Sequence, residues 1–135
     1  MASMSADFVT DCLARLDEAH QNGVITDHSL ATMRTWLRER RYAEFAEQLA
    51  DLIVRAKVDK EIWKSLDDAF WTVIPFGTGG RRGKMFPVGS NAINDRTIGE
   101  SAQGLAEYVM ATSGAGSDAS CTIAYDTRHR SEHFA

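Results

Sequence analysis

The stretch Ile74-Pro75-Phe76-Gly77-Thr78-Gly79-Gly80-Arg81-Arg82-Gly83-Lys84 separates two parts of the sequence that differ in character. It holds four glycines, one threonine and three cationic side chains directly after an apolar run. Glycine permits positive φ and lets other groups approach the backbone, and such a turn can direct N–H groups at an anion. Arginine adds a planar fork that matches phosphate oxygens. The composition therefore indicates either a phosphate-binding loop or a solvated surface turn.

Two common phosphate motifs do not fit this stretch. A Walker A loop needs a glycine where Thr78 stands, and a serine or threonine where Met85 follows Gly83-Lys84. The dinucleotide fingerprint needs its third glycine where Arg82 stands. The stretch belongs to neither class.

The sequence before the glycines has the apolar spacing of helices. Ser5 is suited to cap a first helix and Gly23 to end it, and a second helix follows Thr26 or Asp27. A third carries apolar residues between positions 42 and 53, and a fourth begins near Asp59. We therefore predict a helical segment over residues 1–69, in which the apolar residues serve packing and no chemistry is indicated.

The sequence after these helices contains candidate strands. Phe70–Phe76 is aromatic and β-branched and predicts a strand. Met85–Val88 is a short extended piece that Pro87 limits to an edge strand or to no regular strand. Cys121–Tyr125 is largely apolar and predicts a buried strand.

Two further helices and one loop are predicted between and after these strands. Thr97 can cap a helix that runs to about Ala111, Ser113–Ser117 has the composition of a flexible loop, and another helix begins near Ser131. The alternation of strands and helices is the order of a parallel α/β unit, in which ligands bind beyond the carboxyl ends of the strands. If the strands are parallel, Asp126-Thr127-Arg128 could lie at one edge with the glycine loop.

Length, charge and cysteine content limit the class of protein. The 135 residues suit about one domain, and the net charge of −4 gives no nucleic-acid footprint. The sequence contains no run of about eighteen apolar residues, so we predict no membrane span. Its first residues lack the basic and apolar regions of a secretory signal. Cys12 and Cys121 match no metal spacing and suit reduced thiols, so we expect a cytoplasmic protein.

Four motifs in the second part of the sequence together resemble a known family. They are Phe76–Gly83, the Gly-x-Asn-x-x-Asn turn Gly89–Asn94, the Gln-Gly-Leu-Ala segment Gln103–Ala106, and Tyr125–Ser131 with its Asp-x-Arg-x-x-Ser pattern. In this order they resemble the opening domain of the α-D-phosphohexomutases, the phosphoglucomutase/phosphomannomutase family. The resemblance implies an α/β fold. Residues 70–135 would be an incomplete three-layer α/β phosphohexomutase domain I after a helical extension over residues 1–69.

The resemblance also implies an activity. Members of the family interconvert hexose 1-phosphate and hexose 6-phosphate through a phosphoserine, a hexose 1,6-bisphosphate and Mg²⁺. Arg82 aligns with an active-site arginine that would contact the phosphate, and Arg128 would bind phosphate or brace its loop through Asp126. The predicted phosphate-binding residues are Thr78, Gly79, Gly80, Arg82 and Arg128.

The sequence departs from the family pattern at several points. Gly79 stands where alanine or serine is usual, and Arg81 where an apolar residue is common. The family's serine loop and metal loop have no counterpart, and Ser90 and Ser131 lack the context to replace the serine. We therefore predict no catalytic residue and no metal ligand here. The chain alone would be inactive, and its partners would be hexose phosphate and the missing C-terminal domains of the same protein.

Two alternatives stay open. His129-Arg130-Ser131-Glu132-His133 fits an inverted zinc-protease pattern, in which His129 and His133 would share a helix face. Alternatively, the helices would form an interaction module beside a non-catalytic sugar-phosphate-binding domain.

Overall fold

Helices account for most of the first part of the chain in the computed structural model, which describes residues 4–113 and 118–135. A 3₁₀ turn, Arg40–Tyr42, connects the second helix to the third. The helices are α1 (Ala6–Gln21), α2 (Asp27–Arg38), α3 (Ala43–Arg55) and α4 (Glu61–Phe70). Their number and order agree with the sequence prediction.

The ends of α1 are fixed by the residues that the sequence indicated. The Ser5 hydroxyl accepts a hydrogen bond from the Phe8 N–H at 3.2 Å, which satisfies one free donor of the first turn. Gly23 has φ +68°, and its N–H donates to His20 while the next N–H donates to Ala19, both at 2.9 Å. This pair of bonds is the Schellman arrangement, which needs a left-handed residue and so favours glycine.

The start of α2 is tied to α4. Thr26 caps α2 by accepting from the Ser29 N–H at 3.4 Å. The Asp67 carboxylate accepts from the Thr26 N–H at 2.7 Å and from its hydroxyl at 2.9 Å. These bonds cross 41 positions of sequence and hold the first turn of α2 against α4.

Aromatic rings fill the centre of this helical core. Trp36 stacks on Tyr42 with centroids 4.8 Å apart and meets Phe70 edge to face at 5.0 Å. Phe70 is fully buried as the last residue of α4. The predicted strand Phe70–Phe76 is therefore wrong over most of its length, because Phe70 serves the helical core and only Phe76 enters a strand. Other fully buried side chains are Cys12, Leu16, Met33, Leu49, Ile53, Leu66 and Val88.

A small hairpin follows α4. Strands β1 (Phe76–Gly77) and β2 (Gly80–Arg81) pair antiparallel. Beyond them, Met85 forms an isolated parallel bridge with Ile93 and belongs to no regular strand, which agrees with the limit set by Pro87. All of these elements lie in the first of two compact units, Met1–Asn94.

The second unit, Asp95–Ala135, contains α5 (Asp95–Ser113) and α6 (Ser131–Phe134). The prediction that Thr97 caps the long helix is wrong, because the helix already begins at Asp95. Ser113 ends α5, and the remaining part of the predicted loop, 114–117, lies outside the described residues. The helix expected near Ser131 is confirmed.

The predicted strand Cys121–Tyr125 is wrong: this segment is exposed and has no regular structure. Strand preference depends on packing against neighbouring strands, and within the described residues no strand pairs with this segment. The parallel strand-helix-strand unit is consequently absent from residues 4–113 and 118–135. The described chain is mostly helical with one two-stranded sheet, which suits an α/β or a helical fold. Among its helices, none has the length and apolarity to cross a membrane.

Candidate phosphate-binding site

The hairpin β1–β2 stands on a packed base. A β carbon built at Gly83 would lie 2.8 Å from the Ile74 Cδ1 atom, so the two ends of the loop touch where it leaves the core. Ile74 is buried, and its N–H donates to the Ser90 carbonyl at 2.8 Å. These contacts fix the base of the loop and leave its tip exposed.

The turn that follows the loop caps the end of α4. The Asn91 N–H donates to the Ala69 carbonyl at 2.8 Å, and its side-chain Nδ2 donates to the Asp68 carbonyl at 2.9 Å. The Ser90 hydroxyl donates to the Thr72 carbonyl at 2.7 Å. The last carbonyls of a helix lack hydrogen-bond partners within the helix. Asn91 provides donors for two of these carbonyls at the end of α4. The Gly-x-Asn-x-x-Asn motif thus has a structural role here.

Gly89 and Asn94 hold this turn in shape. Gly89 has φ +108° and lies directly against Ala69. Asn94 is buried, and its Nδ2 donates to the Gly89 carbonyl at 3.0 Å. The hydrogen bond between Asn94 and Gly89 therefore closes the turn, and Gly89, its first residue, packs against α4.

The predicted phosphate-binding residues of the first unit meet at the hairpin tip. Thr78 and Gly79 connect the strands and are exposed, and Gly80 has φ +127°. A depression of about 220 Å³ opens here. Its walls are formed by Pro75, Gly77, Thr78, Gly79, Gly80 and Arg82.

Arg82 is the cation available to an anion at this tip. Its side chain is exposed, and within the part of the chain that the structure describes, no carboxylate forms an ion pair with it. A guanidinium without a carboxylate partner can offer its parallel N–H groups to two oxygens of a phosphate. The site is thus positively charged where the glycines leave the backbone accessible.

Arg82 also borders a second cleft of about 340 Å³ in the same unit. Trp71, the residue that follows α4, lies in its wall with 53% of its surface exposed. Lys84 forms an ion pair with Asp68 there, with 3.3 Å between Nζ and Oδ2. The remaining lining comes from Ser65, Ala69, Gly83, Met85, Phe86, Asn91 and Ala92.

Arg128, the remaining predicted phosphate-binding residue, lies in the second unit and is paired. Its Nε donates to both Asp126 carboxylate oxygens, at 3.1 and 2.9 Å, and its N–H donates to Oδ1 at 3.0 Å. These hydrogen bonds lower the pKa of Asp126 to about 2, and the same pair raises the pKa of Arg128. Arg128 and Asp126 thus hold their own loop together. A phosphate contact by Arg128 stays a prediction.

The histidine pattern does not form the arrangement that a zinc site would need. The helix α6 begins at Ser131, so His129 precedes it and shares no helix face with His133. His133 Nε2 instead lies 2.5 Å from an Asp95 oxygen, and Arg130 donates to both oxygens of that carboxylate at 2.9 and 3.0 Å. Burial raises the pKa of Asp95, but the bonds from His133 and Arg130 outweigh it, and the pKa is lowered. In residues 4–113 and 118–135, no three potential metal-binding side chains are grouped.

Sequence reasoning missed the second cleft and the Asp95 cluster. Asp68 and Lys84 are 16 positions apart, and Asp95 is 38 positions from His133, so no local pattern connects either pair. Trp71 offered one clue in the sequence. It is a large aromatic residue directly after an amphipathic helix, and a residue in that position is a candidate for a solvent-exposed ring.

Comparison with known proteins gives one partial relative. The chain is 35% identical over 89 residues to a curated protein described as phosphoglucomutase, from Staphylococcus aureus (strain bovine RF122 / ET3-1). The alignment covers 66% of this chain, and the chain spans only 15% of the relative's length. No protein-family model matches the chain, and no solved structure matches it significantly. The match supports a phosphoglucomutase-like relationship for the aligned part of the chain.

Proposed function

We propose that the hairpin loop is a phosphate-binding element of a phosphoglucomutase-like enzyme, an isomerase that moves a phosphoryl group between positions of a hexose. The observation that carries the proposal is the exposed guanidinium of Arg82, free of any carboxylate partner among residues 4–113 and 118–135, beside a depression walled by the glycines. The partial match to a phosphoglucomutase supports the same function.

Each residue of the loop would have a distinct task. Arg82 would bind two oxygens of the phosphate and offset their charge, which is the main protein contribution to phosphoryl transfer. Thr78 would donate its hydroxyl, while Gly79 and Gly80 keep side chains away from the anion. The packed base at Ile74 and Gly83 would keep the donors in place before binding, which reduces the entropy cost of association.

The chemical step would depend on residues outside this part of the enzyme. We propose that the phosphorylated serine, the Mg²⁺ ligands and the remaining hexose contacts lie in further domains of a longer protein, with a hexose 1,6-bisphosphate as the intermediate. The described residues do not fit a Mg²⁺ site of their own, because no three histidine, cysteine, aspartate or glutamate side chains are grouped among them. Arg128 would brace its own loop, since its guanidinium already binds Asp126.

Calorimetric titration of the chain with inorganic phosphate and with glucose 1-phosphate tests the loop. Arg82→Ala should weaken binding of both about tenfold or more, because it removes a charge-assisted contact. The matched control is Arg55→Ala, which removes another exposed arginine, one that pairs with Asp51 on α3. Equal affinities of wild type and Arg82→Ala would contradict the proposal and favour a protein-interaction module instead.

An activity assay tests the second part of the proposal. We expect no conversion of glucose 1-phosphate to glucose 6-phosphate by the purified 135 residues in a coupled assay. Turnover that is free of contaminating mutase and is lost in Arg82→Ala would show that the catalytic residues lie within this chain. It would contradict the proposal that they lie in further domains.

A further inference from the structure

We propose that the cleft beyond Arg82 binds the sugar ring of a phosphorylated pyranose, with Trp71 as the surface on which the ring lies. The inference rests on the proposed function, since it assumes that Arg82 holds the phosphate. It adds a sugar-binding half to that site within the first unit, Met1–Asn94.

The cleft has the size and composition of a small-molecule site. Its volume of about 340 Å³ lies at the lower end of the range for ligand pockets, which suits one ring rather than a polymer. Apolar surface comes from Trp71, Met85 and Phe86, and polar groups come from Asp68 and Lys84. A pyranose presents the same combination, because C–H groups cover its faces and hydroxyls surround its rim.

Trp71 differs from the tryptophan of the core. Trp36 is 2% exposed and packs among other rings, whereas Trp71 is 53% exposed. Its backbone is nevertheless fixed, since its N–H donates to the Asp67 carbonyl at 2.9 Å and continues the last turn of α4. An indole offers a large apolar face together with one N–H donor, the combination that favours ligands with both kinds of surface. A fixed and exposed indole in a cleft is therefore suited to stacking.

The ion pair between Lys84 and Asp68 supplies donors and acceptors for hydroxyls. A hydroxyl both donates and accepts, so the carboxylate and the ammonium, 3.3 Å apart, can bind neighbouring hydroxyls of one ring. Both residues have anchored backbones. The Lys84 carbonyl accepts from the Ile93 N–H at 2.8 Å, and the Asp68 carbonyl accepts from Asn91 Nδ2 at 2.9 Å.

Arg82 connects the two halves of the site. It lines both the depression at the glycine tip and the cleft that holds Trp71. A phosphate bound by its guanidinium would therefore place the attached ring toward the cleft. Free glucose would lack this anchor, and inorganic phosphate would lack the stacking contact, so a sugar phosphate should bind more tightly than either.

The test compares inorganic phosphate, glucose, glucose 6-phosphate and mannose 6-phosphate by calorimetric titration of the whole chain. In wild type we expect at least one sugar phosphate to bind about fivefold more tightly than inorganic phosphate. Trp71→Ala should remove this advantage and leave the affinity for inorganic phosphate unchanged, and Trp71→Phe should retain most of it. Val73→Ala is the matched control, because it truncates a neighbouring apolar residue that is 60% exposed and lines neither cavity.

A second measurement does not depend on small affinity differences. The indole N–H signal of Trp71, assigned with Trp71→Phe, should shift in NMR spectra on addition of the sugar phosphate and stay in place with inorganic phosphate. Equal affinities for phosphate and both sugar phosphates, or an advantage that survives Trp71→Ala, would overturn this inference alone, provided that phosphate binding still requires Arg82. Phosphate binding that does not require Arg82 would overturn the proposed function, and this inference with it.

Discussion

Gly89 lies directly against Ala69, the penultimate residue of α4. A β carbon built at Gly89 would lie 2.7 Å from the Ala69 β carbon and closer still to the Ala69 carbonyl oxygen. Only glycine allows this approach together with φ +108°. The contact places the turn Gly89–Asn94 over the end of α4. Through Ser90 and Ile74, this turn also anchors the base of the hairpin loop.

Replacing Gly89 by alanine should destabilise the first unit. The new β carbon meets backbone atoms that cannot move away, and the positive φ adds strain, so we expect a loss of about 2–4 kcal/mol in the free energy of unfolding. Urea denaturation followed by tryptophan fluorescence measures it. Gly79→Ala is the control, because a β carbon there meets open space, and it should change stability by less than about 1 kcal/mol. Similar losses in both variants would contradict the contact.

Gly83 and Ile74 should be energetically coupled. Gly83→Ala alone places its β carbon 2.8 Å from Ile74 Cδ1 and should cost about 1–2 kcal/mol. Ile74→Val removes that methyl group and costs about 1 kcal/mol by itself. In the double variant the clash is gone, so the loss should be smaller than the sum by about 0.5–1 kcal/mol. A double-mutant cycle from urea denaturation gives the coupling, and strictly additive losses would show that the two residues do not touch.

The pKa of Asp126 should depend on Arg128. The hydrogen bonds from Arg128 hold this pKa at about 2, below its ordinary value of 3.8. Since the folded pKa is depressed, the stabilising contribution of the pair is present above about pH 4. It is lost as the pH falls through about 2. NMR titration of the carboxyl carbon in Arg128→Ala should show the pKa rising toward its ordinary value, whereas Arg96→Ala, which removes a cation paired with Glu100, should leave it near 2.

The two cysteines should react at very different rates. Burial, followed by the nearby charge of Asp11, raises the pKa of the Cys12 thiol, and its side chain is fully enclosed. Cys121 is exposed. Because the thiolate is the reactive form and needs access, alkylation at pH 8 should modify Cys121 at least about a hundredfold faster. In Cys121→Ser, reaction should await unfolding and accelerate with urea. Rapid alkylation of that variant without denaturant would contradict the core packing.

The helical part of the fold could be predicted from sequence because its signals are local. Ser5, Gly23 and Thr26 mark helix ends through bonds to residues at most five positions away, and each prediction is confirmed. The strand predicted at Phe70–Phe76 failed because an aromatic residue suits a helical core as well as a strand, and only the burial of Phe70 beside Trp36 distinguishes the two. Thr97 failed as a cap because Asp95, two positions earlier, already begins α5.

The candidate site was predictable in part for the same reason. The glycines and Arg82 are adjacent in sequence, so their meeting at one hairpin follows from local turn chemistry. The cleft was not predictable, because Asp68 lies on α4 and Lys84 comes after the hairpin, and only the fold brings them to 3.3 Å. The role of Asn91 was likewise hidden, since its partner is the carbonyl of Asp68, which sequence patterns do not reveal.

The cap of α4 has a consequence for the order in which the newly made chain can fold. The helix ends at Phe70, but the side chain that satisfies its Asp68 carbonyl belongs to Asn91, 23 positions later. The end of α4 leaves the ribosome before Asn91 does, and in that interval the Asp68 and Ala69 carbonyls and the base of the hairpin lack the partners that this turn supplies. Helix end and hairpin base are therefore completed together, when the turn Gly89–Asn94 emerges from the exit tunnel.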